Sequence, residues 1–483
     1  MNVDANPNTV LDLTRPLSWE SAAGDEAVML DELQPNIVKA HTREFLTILF
    51  LKFTDPAGGR ALLKSLSQPP AGAPLLKSAR THLMEVKAFK ETGTKGTPYI
   101  GVGITRDGYT ALQIPDPQIP PDPSFRSGMK NAALNDPAPA NWDPPFRDAI
   151  HAIILVGDQM SGPRNRALAA VHQLIQAAHG VQILGEEKGH GLHNKNGDGI
   201  EHFGYVDGRS QPLFLTEEID DERLTADGTG NWDPAFGLNR VIVPDTAAPD
   251  PTRHFGSYFV LRKLEQNVKL FKKQEKALAK RLHLRGDDAE RAGAMLVGRF
   301  EDGTPLTTQF ADGNHHPVPN DFNYDSDPNG AKCPFFGHIR KVNPRGSGGF
   351  EPVEGERLHI MARRGQTYGV RTDQPNDGRI DNKPSKDVGL LFMAFNANIA
   401  QQFEFAQGTW ANNPGFPRVP AGAGSPGLDL VIGQSPNPRP DIDCPAQWGG
   451  STMTTTTAPP QAVTMKGGEY FFMPSLAFFR SLP

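Results

Sequence analysis

The segment EHFGYVDGRSQP, residues 201–212, places a single carboxylate, Asp207, between Gly204 and Gly208. Glycine permits a positive φ angle or the close approach of another group. Asp207 is therefore either a turn residue that bonds to its own backbone or a carboxylate that points at a bound molecule. Asp-Gly pairs mark turns, so this segment by itself favours the turn, and the second interpretation needs support from elsewhere in the chain.

A histidine and several cations stand together in FFGHIRKVNPRG, residues 335–346. His338 follows a glycine and precedes a basic run, which contains Arg340, Lys341 and Arg345. Imidazole is an axial ligand of haem iron, and the planar fork of arginine suits carboxylates such as the haem propionates. The segment could therefore hold both the iron and the propionates. A partly buried histidine in a basic loop is the alternative.

Another group of histidines, His190, His193 and His202, lies in GHGLHNKNGDGIEH, residues 189–202. As a zinc site, the segment lacks helical spacing and a partner cysteine. As a calcium loop, it lacks the glutamate that closes such loops, because Tyr205 falls at that position. We interpret it as a glycine-rich loop in solvent, with a weak metal site as the alternative.

Both cysteines precede proline, at Cys333 and Cys444. A Cys-Pro pair can supply a thiolate to haem iron, so each cysteine is a weaker candidate ligand. Two cysteines in 483 residues do not make a disulfide framework, and whether the two thiols pair stays open. The sequence has no Cys-x-x-Cys-His segment, so any haem is expected to bind without covalent attachment.

Length and charge narrow the class of protein. A chain of 483 residues is long for one core and fits two domains. A formal net charge of −6 argues against nucleic acid as a partner. No segment approaches the roughly 18 apolar residues of a membrane span, and the N-terminal residues lack the pattern of a signal peptide. We therefore expect no membrane partner and a cytoplasmic location, with a leader that has been removed as the open alternative.

The first half of the chain alternates strand-like and helix-like segments. Residues 45–51 form a dense apolar run of strand length, and residues 151–158 are predicted to be a buried strand. Residues 97–112 are predicted to be extended, with a turn at Asp107. An amphipathic pattern with a proline near its start and a glycine at its end predicts a helix over 162–180.

The second half repeats this alternation. Strands are predicted within 256–268, 356–369, 388–399 and 468–475, and helices over 267–283 and 400–413. Strand pairs separated by helices, seen twice, indicate two α+β domains with antiparallel sheets and peripheral helices. A charged, Gly-rich stretch within 215–250 predicts the boundary, which divides the chain into residues 1–225 and 226–483.

Several segments, taken in order, resemble one family. FGYVDG matches the Gly-x-x-Asp-Gly signature of dye-decolorising peroxidases, and GHIRKVNPR, MARRGQTYG, GLLFMAFNANIAQQFEFAQGTWANN and GEYFFMPS resemble later segments of the same family. The resemblance covers nearly the whole chain and is nearest to the larger, advanced members. It implies two ferredoxin-like α+β domains, with non-covalent haem b in the second, so the two-domain interpretation above agrees with it.

The resemblance also implies roles for residues. His338 would be the proximal iron ligand, and Asp207 would be the distal acid of the Gly-x-x-Asp-Gly motif. Arg363, the first arginine of RRGQTYG, would be the distal arginine. Its neighbour Arg364 should point to the opposite face of a strand, because side chains alternate along strands.

Other residues are expected around the cofactor. Arg340 and Arg345 would meet the haem propionates, and Phe392 and Phe403 would contact the haem. The proximal histidine of such a site needs an acceptor on its other ring nitrogen. Glu404 is one candidate, and a salt-bridge residue at the edge of the core is the alternative for a glutamate between two phenylalanines.

The implied activity is a haem-dependent peroxidase that uses hydrogen peroxide to oxidise dyes, phenols and other aromatic one-electron donors. Asp207 would relay a proton during O–O heterolysis, and Arg363 would stabilise the departing oxygen on the way to an oxyferryl intermediate. Because aspartate titrates near 3.9, we expect turnover to favour mildly acidic pH. A non-enzymatic haem carrier or sensor and an iron-releasing haem-processing protein are the alternatives. The oligomeric state stays open.

Overall fold

The computed structural model describes residues 11–225, 227–313, 317–435 and 438–483. The strands within these ranges are β1 Phe45–Phe53, β2 Tyr99–Ile104, β3 Ala152–Asp158, β4 Val181–His190, β5 Val243–Pro244, β6 Phe255–Gln266, β7 Ala362–Arg363, β8 Gln366–Tyr368, β9 Gly389–Asn396, β10 Ile442–Pro445, β11 Met453–Thr456 and β12 Val463–Met473. The α-helices are α1 Gly24–Glu32, α2 Pro56–Ser67, α3 Ala79–Thr92, α4 Arg106–Ala111, α5 Pro123–Ser127, α6 Ser161–Ala177, α7 Thr216–Thr225, α8 Val268–Arg281, α9 Glu290–Val297, α10 His338–Val342, α11 Val353–Glu356 and α12 Leu476–Ser481. A π-helix covers Ala400–Ala411.

The first half forms an antiparallel sheet in the order β4-β1-β3-β2. Its central strand β1 pairs with β3 from Phe45↔Asp158 to Leu51↔Ala152. The largely apolar strands β1 and β3 are buried on both faces, since helices and the other half of the molecule cover them. Strand order 4-1-3-2 is that of a ferredoxin-like sheet. The two apolar segments of the sequence, β1 and β3, form its central strands.

The second half repeats the same order, β12-β6-β9-β8. Strand β6 pairs with β12 from Val463↔Gln266 to Met473↔Ser257, and with β9 on its other side. The prediction of an α+β fold with two ferredoxin-like antiparallel sheets is confirmed.

The two sheets join at both edges. Strand β12 meets β2 at Phe472↔Ile104, and β4 meets β8 at Gly189↔Tyr368. A Cβ atom at Gly189 would lie 2.4 Å from the side chain of Gln366, so glycine is required at this second junction. Eight strands thus close into one ring, and a single hydrophobic core contains residues of both halves. The boundary between residues 225 and 226 stays a prediction.

Some local predictions need correction. Asp107 does not lie in a turn but in the first turn of α4, where Thr105 Oγ1 accepts the N–H of Gly108 at 2.9 Å. The hydroxyl cap converts an Asp-Gly turn signal into a helix start. Residues 356–369 do not form one long strand, because a 3-10 turn, Arg357–His359, precedes the short strands β7 and β8.

The predicted helix over 400–413 is a π-helix. The N–H of Glu404 donates to Ile399 O at 3.0 Å and that of Asn412 to Gln407 O at 2.9 Å, both with five-residue spacing. π-Helical turns occur often at functional sites, and this one packs against α10, the helix that begins with His338. In the described part of the chain, no helix combines the length and apolar character needed to span a membrane.

Candidate active site

A large cavity lies between the Asp207 loop, α10, β6, β9 and the π-helix. It contains about 1590 Å³ of empty space, part of which is open to solvent. His338, Asp207 and Arg363 all lie on its wall.

His338 opens α10 and is oriented by a buried carboxylate. Its Nδ1 lies 2.8 Å from Oδ2 of Asp429, and Asp429 is fully buried. Burial raises the pKa of Asp429, but His338 and the N–H groups of Ile432 and Val431 lower it further, so that the pKa ends below its usual range. Asp429 is therefore ionised, and Nε2 of His338 is the ring nitrogen left for a metal.

Asp429 corrects the prediction that Glu404 fills this role. The carboxylate of Glu404 accepts hydrogen bonds from Ser124 Oγ and from the hydroxyl of Tyr470, each at 2.8 Å. Glu404 is therefore committed to a different contact. Asp429 lies 91 positions from His338, and no local spacing in the sequence links them.

Asp207 combines both interpretations of its segment. Its Oδ1 accepts the N–H of Gly208 at 2.7 Å, as a turn residue does, and its side chain is exposed on the cavity wall. Its own N–H donates to Gly199 O at 3.0 Å. A Cβ atom on Gly365 would lie 3.8 Å from Asp207 Oδ2, so the connection between β7 and β8 passes beside the carboxylate.

Arg363 reaches the cavity from β7. Its N–H donates to Gln211 Oε1 at 3.0 Å, and Nη2 donates to Arg209 O at 2.9 Å. Arg364 points away from the cavity and is buried. Its Nε donates to Asn36 O at 2.8 Å, and its Nη2 donates to Ile37 O at 2.9 Å. Strand alternation thus separates the two arginines as expected.

Arg340 and Arg345 do not lie on the cavity wall, which corrects the prediction that they contact a bound cofactor. Arg340 is fully buried and donates to Cys333 O at 2.7 Å. Arg345 donates to Asn320 O at 2.7 Å. Two positions after His338, a helix has turned by about 200°, so Arg340 faces the loop behind α10.

Other arginines line the cavity instead, and sequence reasoning missed them. They are Arg209, Arg262 and Arg299. Arg299 donates to Ser210 Oγ at 3.0 Å, and burial lowers its pKa to about 9. It lies outside every segment that carried a chemical signal. The guanidinium of Arg262 lies 5.4 Å from the ring centre of Phe403.

Neither cysteine lines the cavity. Both Cys333 and Cys444 are free and buried, and burial raises the pKa of Cys333 to about 12. A protonated, enclosed thiol is a poor ligand for iron. The thiolate alternative therefore has no support from the geometry.

The histidine-rich segment is held by hydrogen bonds within itself and to the rest of the fold, and His202 is buried instead of lying in solvent. Asn194 Oδ1 accepts the N–H groups of Asn196 and Asp198, each at 2.9 Å. His193 Nε2 lies 2.6 Å from Glu44. Among the residues the structure describes, no three His, Cys, Asp or Glu side chains group as metal ligands.

The cavity has the chemistry that haem requires. His338 supplies a nitrogen donor held by a carboxylate, and Leu264, Phe392 and Phe403 supply apolar walls for a flat macrocycle. Phe392 and Phe403 both lie on this wall, and their contact with haem stays a prediction. Guanidinium groups on the same wall suit the propionates. The residues present therefore fit the cofactor.

The two joined ferredoxin-like sheets and this cavity together define a haem peroxidase. A family profile described as the DyP dimeric alpha+beta barrel domain matches residues 32–188. The chain is 60% identical to the multifunctional dye peroxidase DyP2 of an Amycolatopsis species, over 98% of this chain and 100% of the relative. A solved structure of DyP2 has a TM-score of 0.93 at 59% identity and covers 98% of this chain and 100% of that chain.

More distant relatives agree. The DyP-type peroxidase structure from Anabaena sp. has a TM-score of 0.87 at 33% identity and covers 100% of both chains. The dye-decolorizing peroxidase msp1 of Mycetinis scorodonius is 28% identical over 96% of this chain and 89% of the relative. This chain belongs to the dye-decolorising peroxidase family. It is an enzyme, and the carrier, sensor and iron-releasing alternatives are not favoured.

Proposed function

We propose that the cavity binds haem b without covalent attachment, with His338 as the iron ligand and with Asp207 and Arg363 as the groups that act on hydrogen peroxide. The observation that carries this proposal is the 2.8 Å contact between His338 Nδ1 and Asp429, on the wall of the cavity that Asp207 and Arg363 also line. A histidine paired with a carboxylate in this way is typical of a metal ligand.

Haem, when bound, supplies the iron that takes up the oxidising equivalents of peroxide. The chain supplies the rest. Asp429 fixes the ring of His338 and makes its Nε2 a stronger donor. Asp207 would accept a proton from one peroxide oxygen and return it to the departing oxygen. Arg363, which is always cationic, stabilises negative charge on that oxygen as the O–O bond breaks.

The electron donors are aromatic dyes and phenols. Each turnover reduces one hydrogen peroxide to two waters and takes two electrons and two protons, and two one-electron donors supply the electrons. The relative at 60% identity carries the name of a multifunctional dye peroxidase, which supports dyes as substrates of this chain. The cytoplasmic location also stays a prediction.

The visible spectrum of the purified protein tests the proposal. We expect a Soret band with one haem per chain, which changes on one equivalent of peroxide and recovers when a dye or a phenol is added. His338→Ala should lose the haem, and added imidazole should partly restore it. Asp207→Asn should keep the wild-type ferric spectrum while kcat/KM for peroxide falls at least about 100-fold. Full turnover in Asp207→Asn would rule out the role of this carboxylate.

A further inference from the structure

A second carboxylate, Glu201, lies inside the loop that carries Asp207. Its Oε2 accepts the N–H of Phe203 at 2.7 Å, and its Oε1 accepts the N–H of Tyr205 at 3.0 Å. Gln266 of β6 donates a further hydrogen bond to it. Glu201 also lies on the wall of the haem cavity. One side chain therefore holds two backbone groups of the catalytic loop and anchors them to β6.

The backbone of the loop closes around this carboxylate. The N–H of Glu201 donates to Tyr205 O at 3.0 Å, and the N–H of Gly204 donates to Glu201 O at 2.9 Å. Ile200 forms an antiparallel β-bridge with Val206, the residue before Asp207. The position of Asp207 therefore depends on a turn whose interior is filled by Glu201.

The charge environment of Glu201 is unusual for a carboxylate. Its hydrogen-bond donors in the described part of the chain are uncharged N–H groups, and no described Lys, Arg or His nitrogen forms an ion pair with it. The pKa of Glu201 is raised to about 7: burial raises it most, the hydrogen bonds from Phe203, Gln266 and Tyr205 lower it, and the negative charge of Asp207 raises it.

Other titratable groups near Glu201 do not neutralise it. His202 follows it in the loop, and burial lowers the pKa of His202 to about 4, which leaves that ring neutral above pH 5. Tyr205 of the same loop is buried, with its hydroxyl on Glu275. Arg262 of β6 shares the cavity wall, and its guanidinium pairs with Asp136. The remaining charged or titratable groups on the cavity wall are Arg209, Arg299, His338, His359 and Arg363.

We propose that Glu201 is a positioning residue for the peroxide reaction, which fixes the loop of Asp207 and sets the charge beside it. The proposal rests on the proposed function of Asp207. In its neutral form, Glu201 leaves Asp207 as the one negative charge among the described residues of the cavity wall. In its ionised form, it places a second negative charge there, which opposes the negative charge that develops on the departing oxygen.

The sign of the pH effect follows from this arrangement. Below about pH 7 Glu201 carries a proton, so the reaction with peroxide runs at its full rate. As the pH rises through about 7, Glu201 loses the proton, and kcat/KM for peroxide falls in the wild-type enzyme. This loss at neutral pH adds to the acid preference that Asp207 alone would give.

Glu201→Gln separates position from charge. The amide keeps the shape, but its NH2 group cannot accept a hydrogen bond, whereas both oxygens of a protonated carboxyl can. Glutamine therefore cannot accept from both Phe203 and Tyr205, and the turn loosens. At pH 5.5 we expect kcat/KM for peroxide to fall about tenfold. Because glutamine does not titrate, the further fall between pH 6 and pH 8 should disappear. Glu201→Asp should keep that fall while losing the position, since its side chain is shorter.

Two measurements do not depend on activity. Amide hydrogen exchange of residues 203–207 in the holoenzyme should be faster in Glu201→Gln. Infrared difference spectra between pH 5 and pH 9 should show a protonated carboxyl that titrates near 7 in the wild type and is missing in Glu201→Gln.

Glu187→Gln is the matched control. Glu187 is a buried carboxylate whose pKa is likewise raised by burial, but it pairs with Lys263 and does not line the cavity. Its replacement should leave the peroxide kinetics and their pH profile unchanged. A pH profile in Glu201→Gln that parallels the wild type, or unchanged exchange at residues 203–207, would overturn the proposal. Full activity of Asp207→Asn would instead overturn the function on which it rests.

Discussion

The Nδ1 atom of His338 lies 2.8 Å from Oδ2 of Asp429, a carboxylate with no solvent exposure. The other oxygen of Asp429 accepts the N–H groups of Val431 and Ile432 at 2.8 and 2.9 Å. The imidazole is thus held by a group that is itself fixed on its far side. The direction of the ring toward the cavity therefore depends on Asp429 as much as on α10.

Asp429→Asn should weaken the metal site without emptying it. The amide can still accept from His338, but the negative charge is lost, so the ring becomes a weaker donor. We expect haem to dissociate about tenfold more readily, measured by transfer to apomyoglobin, and the reduction potential to rise, measured by spectroelectrochemical titration. Glu404→Gln is the control, because its carboxylate contacts Ser124 and Tyr470 instead, and its potential should match the wild type. An unchanged potential in Asp429→Asn would contradict this assignment.

Arg363 and Arg364 offer a matched pair, because they are adjacent but face different surroundings. Arg363→Leu should lower kcat/KM for peroxide about 100-fold and leave the thermal midpoint almost unchanged, since Arg363 lies on the cavity wall. Arg364→Leu should instead lower the thermal midpoint. It leaves the carbonyls of Asn36 and Ile37 without a donor, at a cost of about 1–3 kcal/mol each. Steady-state kinetics and thermal unfolding of both variants test this contrast, and equal losses of rate would refute it.

Acid should destabilise the fold through two stacked histidines. His41 and His82 have ring centres 4.9 Å apart, and burial lowers the pKa of His41 to about 2 and that of His82 to about 4. The unfolded chain binds these protons near pH 6.5, so the stability that the neutral rings contribute is complete above 6.5. It decreases as the pH falls from 6.5 toward 4, by up to about 1.4 kcal/mol per pH unit for each ring.

Urea unfolding between pH 7 and pH 4 measures this dependence. His82→Phe should flatten it, because the ring no longer titrates. His179→Gln, at an exposed position, should leave the slope as in the wild type. A slope in His82→Phe equal to that of the wild type would show that other groups govern the acid sensitivity. With the expected dependence, the enzyme loses stability in the same mildly acidic range in which we expect its peroxide chemistry to be fastest.

Neither thiol should matter to the haem. Cys333→Ala and Cys444→Ala should keep the wild-type Soret band in the ferric and reduced states, because both cysteines are buried away from the cavity. Burial raises the pKa of both thiols, so they should also resist thiol reagents until the protein unfolds. A shifted Soret band in either variant would revive the thiolate alternative.

Patterns within short segments led to correct predictions about the fold. The apolar runs of β1 and β3 and the amphipathic pattern of α6 depend on neighbours in sequence, and all three elements formed where expected. The prediction of a turn at Asp107 was wrong because a single hydroxyl cap, Thr105, favours a helix there instead. Closure of the two sheets into one ring depends on pairings between distant strands, such as Phe472 with Ile104, and no periodicity encodes it.

In the site, too, residues in recognisable segments were predicted correctly and residues linked only by the fold were not. His338, Asp207 and Arg363 stand in recognisable segments, and the structure brings all three to one cavity. Asp429 and Arg299 stand in segments without a chemical signal, and only the folded chain shows their contacts. The prediction that Arg340 contacts the cofactor was wrong because two residues close in sequence can point in different directions from a helix.

The closed ring of strands gives the molecule two seams, one at Phe472 and Ile104 and the other at Gly189 and Tyr368. A fragment that ends before β5 would expose the free hydrogen-bonding edges of β2 and β4, and the complementary fragment would expose those of β12 and β8. Such edges recruit other strands. Each half thus covers the strand edges through which the other would aggregate. The cofactor pocket therefore forms in a fold in which neither half is protected from aggregation until both are present.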